Sequence, residues 1–164
     1  MKRWICLVLA LCLGLSGCGI AAQGMREPVT FYYLRASYRY GQADGVIAGE
    51  SRESSGHGGD LTYLLSMYLM GPASEDLASP LPQDVEILSV TRTEDTVTLV
   101  LSDLGKQLTE LEYSLACGCL AMTVMGICSA DSVVMESGER SVTMTKDNLT
   151  IFDDSAAVAG KEQP

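Results

Sequence analysis

Basic residues are scarce in this chain of 164 residues, which has 11 lysines and arginines against 21 aspartates and glutamates and a formal net charge of −10. Beyond Lys2 and Arg3, no cluster of basic residues occurs. Because proteins bind nucleic acid by neutralising phosphates with lysine and arginine, this scarcity argues against a nucleic-acid partner. It argues equally against a polybasic contact with anionic lipid. An acidic surface serves solubility, or it holds a domain away from an anionic membrane.

Histidine is almost absent too, and the familiar catalytic motifs are missing. His57 is the single histidine, and the chain has no Gly-x-Ser-x-Gly elbow, no phosphate-binding glycine loop and no His-Glu-x-x-His zinc motif. Ser55, His57 and Asp60 could form an acyl-transfer group only if the chain held them within hydrogen-bond distance, and their Gly/Ser-rich loop does not. The remaining acidic candidates lack the oxygen spacing of a calcium loop; they are Asp44, Glu94, Asp95, Asp153 and Asp154. We predict no enzymatic activity, no cofactor and no metal.

The N-terminal apolar run is too short to cross a bilayer, which takes about 20 apolar residues. Residues 4–15 form this uncharged run, which follows Lys2 and Arg3 and leads into Leu15-Ser16-Gly17-Cys18. This order is typical of a secretory signal. The final cysteine resembles that of the bacterial lipobox, which receives a diacylglyceryl group and becomes the new N-terminus. We predict a lipoprotein signal peptide at residues 1–17 and lipidation at Cys18; the alternatives are an ordinary signal peptide or an uncleaved anchor.

A lipid anchor at Cys18 would place the rest of the chain outside the cytoplasm, as a tether, one domain and a tail. Each buried CH₂ of a lipid contributes ~0.8 kcal/mol, so several acyl chains hold a protein firmly on the extracytoplasmic face of a cell membrane or on an outer membrane. Loss of the leader leaves 147 residues, with nine basic and 21 acidic side chains and a net charge of −12. Residues 18–28 are predicted to be the lipidated cysteine and a tether, 29–152 one domain, and 153–164 a disordered acidic tail.

Three cysteines are left for the domain, an odd number for an exported protein. Cys117, Cys119 and Cys128 fall within one predicted helix. There Cys117 and Cys119 point ~200° apart, and Cys117 and Cys128 are separated by ~16.5 Å along the axis. A disulfide requires Cα atoms within about 7 Å, so no pair can bridge. The thiols are either small apolar core residues or Cys-x-Cys metal ligands, and the lack of a nearby fourth ligand favours the core role.

Apolar periodicity predicts the order strand, strand, helix, hairpin, long helix, strand. The predicted strands are 29–34, 46–53, 85–90, 96–101 and 132–136, with a weaker one at 141–145 or 149–152. The first helix, at 61–69, begins at Asp60 and ends at Gly71-Pro72, and the second spans 106–127. We predict an α+β single small domain in which two helices pack on one face of a mixed sheet. If the strands flanking the long helix are parallel, that helix is a right-handed crossover.

Two motifs give the chain a resemblance to a known family. The segment Leu64-Leu65-Ser66-Met67-Tyr68-Leu69-Met70-Gly71-Pro72, followed by Leu77-Ala78-Ser79-Pro80-Leu81-Pro82, resembles the GerMN domain, which is named for a spore-germination and sporulation lipoprotein. Residues 31–34, Glu50-Ser51-Arg52 and 96–102 also fit, so the resemblance covers about 29–138. It implies an extracytoplasmic, non-enzymatic module in sporulation, germination or cell-envelope machinery. It also implies a fold similar to the ring-building domains of sporulation channel complexes.

Several interpretations remain open at this point. We expect a membrane-anchored scaffold or adaptor that binds protein partners or further copies of itself. The alternatives are a peptidoglycan- or small-ligand-binding module and a thiol protein that uses Cys117 and Cys119. Glu50 and Arg52 lie on one sheet face and are predicted to form a solvated ion pair rather than a ligand clamp. The connector at residues 79–82 is either a rigid route from helix to strand or a docking edge.

Overall fold

A computed structural model describes residues 28–37, 45–104 and 107–148 of the chain. The described part folds around one hydrophobic core to which both helices and both sheets contribute. The predicted signal peptide, Cys18 and its tether, the tail at 153–164 and the alternative strand at 149–152 lie outside the described residues.

The first sheet contains three strands in the order β2-β1-β3, all antiparallel. They are β1 (Pro28–Arg35), β2 (Ile47–Glu53) and the short β3 (Leu77–Ala78). In β1 the side chains alternate between the two faces of the sheet, and the rings of Phe31 and Tyr33 are fully buried. The predictions of β1 and β2 are confirmed to within one residue at each end, whereas β3 has no sequence signal of its own.

The second sheet contains four strands in the order β4-β5-β6-β7. They are β4 (Ile87–Thr93), β5 (Thr96–Leu101), β6 (Ser132–Ser137) and β7 (Arg140–Thr145). The β4–β5 hairpin turns at Glu94, which has a left-handed φ of 52°, and β5 and β6 are parallel across the long helix. The predicted hairpin is confirmed, although β4 begins and ends later than expected: its pairing with β5 starts at Ile87, shifts in register before Ser89 and continues to Thr93 at the turn. Of the two positions predicted for the weaker last strand, 141–145 is confirmed, since it coincides with β7.

The two helices begin at polar caps. In α1 (Leu61–Leu69) the Asp60 carboxylate accepts a hydrogen bond of 3.0 Å from the Tyr63 N–H, as predicted. In α2 (Glu110–Cys128) a capping box joins Thr109 and Glu112. The predicted start of α2 at residue 106 is therefore too early, since this capping box sets the first turn four residues later.

The α+β class and the two helices are confirmed, but the strands form two sheets rather than one. The physical reason is that α2 is apolar around most of its circumference, so it packs against β1 on one side and against β6 and β7 on the other. Gly118 of α2 faces the Ile47 side chain of β2, from which a Cβ built on it would lie 3.5 Å away. By length and composition α2 could also cross a membrane, yet in this structure it is the core helix.

Candidate functional site

The candidate functional site is built on two charged residues of β2. Glu50 and Arg52 lie two positions apart and so project from the same face of the strand. Across the sheet, the rings of Phe31 and Tyr33 extend beneath the Arg52 guanidinium, whose central carbon is 5.3 Å and 5.6 Å from the two ring centroids. Contacts of this kind stabilise a cation over aromatic faces. The guanidinium is thereby held flat against the core with its N–H groups aimed toward the end of α1.

Arg52 joins β2 to the C-terminal end of α1. Its Nε donates to Glu50 Oε2 at 2.6 Å, and its Nη2 donates to the carbonyl oxygen of Gly71 at 2.6 Å. A longer contact of 3.4 Å joins Nη1 to the carbonyl oxygen of Met67. The last carbonyls of a helix have no partner inside the helix, and a positive charge beside them is favourable. Arg52 therefore caps the C-terminal end of α1 from the neighbouring strand β2.

Glu50 holds the chain that follows α1. Its carboxylate accepts hydrogen bonds from the backbone N–H groups of Ala73, at 3.0 Å, and Ser74, at 2.8 Å. Burial acts to raise the pKa of Glu50, but these two N–H groups and the Arg52 guanidinium outweigh it and hold the pKa below its ordinary value. The side chains of Glu50 and Arg52 are only 12% and 16% exposed. The predicted ion pair is present, but the prediction that it is solvated is wrong.

Two buried tyrosines complete this arrangement. The rings of Tyr33 and Tyr68 stack with centroids 4.8 Å apart, and the Tyr33 hydroxyl donates to the carbonyl oxygen of Tyr68 at 3.1 Å. The Tyr68 hydroxyl in turn donates to the carbonyl oxygen of Tyr32. Burial raises the pKa of Tyr33 to about 12 and also raises that of Tyr68, so both hydroxyls remain protonated donors. Residues 70–76, here named the clamped loop, are thus fixed from β1, β2 and α1 together.

The histidine loop does not form a catalytic group. The His57 ring stacks on Tyr63 with centroids 4.2 Å apart, and Asp60 is used as the cap of α1. Ser55 lies in a turn with φ of 51°. Within residues 45–104 no hydrogen bond joins the side chains of Ser55, His57 and Asp60, so nothing positions a nucleophile against a base.

The thiols are part of the core, as predicted for Cys117 and Cys119. Both are buried on α2, and burial raises the pKa of Cys117 to about 11 and that of Cys119 to about 12. Cys128 is partly buried, and its pKa is raised for the same reason. Because the thiolate is the reactive form, these groups are poor nucleophiles and metal ligands. Among the described residues, no three histidine, cysteine or acidic side chains are grouped to hold a metal ion.

Of the other acidic candidates, Asp95 has a structural place, as does the connector. Asp95 lies at the β4–β5 turn, where its carbonyl oxygen accepts hydrogen bonds from the N–H groups of Asp131 and Ser132; Asp44, Asp153 and Asp154 lie outside the described residues. In the connector, Ser79 bonds through its hydroxyl to the backbone of Leu81, whose side chain is buried in the core. This packing favours the rigid-route interpretation.

A shallow cleft opens beside the first residues of β1. Its volume is about 270 Å³, and it is lined by Pro28, Val29, Thr30, Tyr32, Gly58, Gly126 and Ile127. The cleft therefore lies between the start of β1, the histidine loop and the last turn of α2. No sequence pattern predicted it, because its lining residues come from three distant segments and most of them carry no chemistry of their own.

Sequence reasoning found Glu50 and Arg52 but missed what they bind. The signal was an oppositely charged pair on one strand face, together with a Gly-Pro helix end. The acceptor at Gly71 and the donors at Ala73 and Ser74 are backbone groups, so no residue type marks them. Only the packing of α1 on β1 brings these groups to the charged pair.

Comparison with known proteins finds no matching family profile and no matching curated protein. Among solved structures, the chain is similar to the tandem GerMN domains of the sporulation protein GerM from Bacillus subtilis, with 20% identity and a TM-score of 0.49 over 70% of this chain and 39% of that one. The first GerMN domain of the same protein is similar with 16% identity and a TM-score of 0.49, over 71% of this chain and 86% of that one. A candidate lipoprotein from Clostridium perfringens is similar with 16% identity and a TM-score of 0.45, over 77% of this chain and 93% of that one.

This chain thus spans about two fifths of the tandem-domain structure. Two of the three structures are GerMN domains, the family that the motifs of residues 64–82 resemble.

Proposed function

We propose that this chain is a lipoprotein, anchored through a diacylglyceryl group on Cys18 at the extracytoplasmic face of the cell membrane. Its domain then acts as a non-enzymatic adaptor or scaffold in sporulation, germination or cell-envelope machinery. The observation that carries the proposal is the order of a basic start, a short apolar run and Leu15-Ser16-Gly17-Cys18.

The use of the polar side chains supports a non-enzymatic role. An active site needs polar groups that converge and remain free to act on a substrate. Here the strongest candidates already bond to the protein itself: Asp60 and Glu112 cap helices, and Glu50 and Arg52 clamp a loop. The Thr123 hydroxyl accepts from the Tyr32 N–H at 2.9 Å. What is left for function is the shape and chemistry of the surface.

The tether and the charge support action close to a membrane. The nine residues between Cys18 and the start of β1 at Pro28 span at most about 35 Å when fully extended. Because salt screens charges within about 8 Å, the net charge of −12 on the processed chain opposes only close contact between the domain and anionic lipid. The domain would therefore stand off the membrane and meet proteins in the envelope.

Labelling with palmitate tests the anchor. Cells that produce the full chain should incorporate the label and retain the protein in the membrane fraction, whereas Cys18→Ser should lose both. Cys128→Ser is the matched control, since it removes a thiol from the domain and leaves the lipobox intact. Equal labelling of Cys18→Ser and the natural chain would overturn the anchor.

Crosslinking in the native membrane tests the adaptor role. A short crosslinker should join the domain to a defined protein or to a second copy of itself. If the lipidated protein is recovered as an uncrosslinked monomer under conditions that trap known membrane complexes, the adaptor role is rejected. The lipid anchor is unaffected by that result.

One observation favours a second candidate function, the binding of wall fragments or another small ligand. The cleft beside β1 has room for part of such a ligand and has both polar and apolar walls. Titration of the full chain in detergent with muropeptides, followed by NMR of the Thr30 and Gly126 amides, distinguishes the two. Saturable shifts at these amides favour ligand binding, and unchanged spectra reject it.

A further inference from the structure

We propose that the clamped loop, residues 70–76, is the surface through which the domain binds its protein partner, with the Met70 side chain as the apolar anchor. This inference rests on the proposed adaptor function. The partner is a protein that offers an apolar socket bordered by basic side chains.

Met70 stands apart from the other exposed apolar residues of the described chain. Its side chain is 84% exposed, compared with 60% for Leu88 and 50% for Leu111. Leu88 lies at the register shift of β4, and Leu111 lies in the first turn of α2. Met70 lies at the C-cap of α1, where the clamped loop begins. Methionine is enriched at protein interfaces, where its unbranched thioether adapts to irregular pockets.

The backbone around Met70 is held at nearly every residue. The Gly71 N–H donates to the Tyr68 carbonyl oxygen at 3.0 Å, and the Gly71 carbonyl oxygen accepts from Arg52. The N–H groups of Ala73 and Ser74 donate to Glu50. At the far end, the Asp76 carbonyl oxygen accepts from the Ala36 N–H at 2.8 Å. A side chain presented from a backbone fixed in advance loses less conformational entropy on binding.

The loop is held by a largely buried ion pair, Glu50 and Arg52, and not by apolar contacts alone. A buried ion pair seldom stabilises a fold more than apolar residues of the same volume would, because both charges must leave water. Here Glu50 and Arg52 direct their hydrogen bonds to backbone groups of a loop whose outer side chain, Met70, faces solvent. What the pair secures is the conformation of that loop.

The charge of the clamped loop identifies the chemistry of the partner. Glu75 and Asp76 of the same loop are exposed, and residues 70–76 contain no basic residue. A basic rim around the socket would complement these carboxylates and speed association at low salt. A second processed copy of this chain, with its net charge of −12, would be repelled instead.

Photocrosslinking of the full lipidated chain in its native membrane tests the proposal. The variant Met70→p-benzoylphenylalanine should give one discrete protein adduct, and the same replacement at Leu88 or Leu111 should not. Mass spectrometry of the adduct should place the crosslink in an apolar partner segment flanked by lysine or arginine. Raising the salt concentration should lower the adduct yield, as should Glu75→Lys.

Two further variants separate the anchor from the clamp. Met70→Ala leaves the fold untouched because the side chain is exposed, and a general crosslinker should trap the same partner at least tenfold less from this variant. Arg52→Met should also lower the yield of the crosslinked partner, provided that circular dichroism shows the domain to be folded. If Arg52→Met is unfolded, the comparison of Met70→Ala with the natural chain tests the proposal.

Three results would overturn the proposal. They are equal adducts at the three positions, no adduct at residue 70, and an adduct with lipid, wall glycan or a second copy of the chain. If a general crosslinker traps a partner equally from the natural chain and from Met70→Ala, the clamped loop is excluded and the adaptor function stands. If it traps nothing from either, the adaptor function falls as well.

Discussion

Arg52 donates a hydrogen bond of 2.6 Å to the carbonyl oxygen of Gly71, 19 residues further along the chain. This bond fastens the end of α1 to the edge strand β2 of the first sheet. Glu50 completes the connection by orienting the guanidinium and by accepting from the two N–H groups that follow Pro72. The polar network of Glu50 and Arg52 therefore holds a loop in place.

Removal of Arg52 should be costly. Arg52→Met leaves the largely buried Glu50 carboxylate without its counter-ion, and breaking such a pair costs about 3–5 kcal/mol of unfolding free energy. Arg92→Met is the matched control, since Arg92 also donates to a carbonyl at a helix end, that of Cys128, but is exposed. The control should lose about 1 kcal/mol or less. Urea denaturation followed by circular dichroism gives both values, and equal losses would contradict the role of the clamp.

The stability of the domain should depend on the ionisation of Glu50. Its folded-state pKa lies below the ordinary value of about 4.5, so the unfolded chain takes up the proton first as the pH falls. The resulting stabilisation is present above about pH 4.5 and is lost as the pH falls through the folded-state value. Glu50→Gln should be less stable at pH 7 and should flatten the acid limb of the stability curve. Glu139→Gln, at the exposed β6–β7 turn, should leave that limb unchanged.

The domain thiols should be hidden in the native state. Cys117 and Cys119 are buried with pKa values of about 11 and 12, so a thiol reagent at pH 8 should leave both unmodified, while the partly buried Cys128 reacts slowly. In denaturant, a processed and lipidated chain should show three thiols. Four would mean an unmodified Cys18, and six an uncleaved leader. Rapid native modification of Cys119 would contradict its place in the core.

The end of α2 offers a stabilising substitution. Ser129 has a left-handed φ of 52°, a conformation that costs a residue with a Cβ roughly 1 kcal/mol relative to glycine. Ser129→Gly should therefore raise the free energy of unfolding by about 0.5–1 kcal/mol. Ser114→Gly, inside the same helix at an exposed position, should lower it by about 1 kcal/mol. Thermal unfolding of the two variants should move in opposite directions.

The elements of the fold could largely be predicted from the sequence because their signals are local. Alternation in β5, the Asp60 cap of α1 and the glycine after its last turn each need only neighbouring residues. The division into two sheets depends on which strands pack on each side of α2, and local periodicity does not encode that choice. The burial of Arg52 escaped prediction for the same reason, since its acceptors are backbone carbonyls brought to it by packing.

Mass spectrometry of the N-terminal peptide, from protein purified out of the membrane fraction, tests the lipid anchor most directly. We expect a peptide that begins at Cys18 and carries the mass of a diacylglyceryl group. A peptide that retains residues 1–17, or one with an unmodified Cys18 from a soluble fraction, would contradict it.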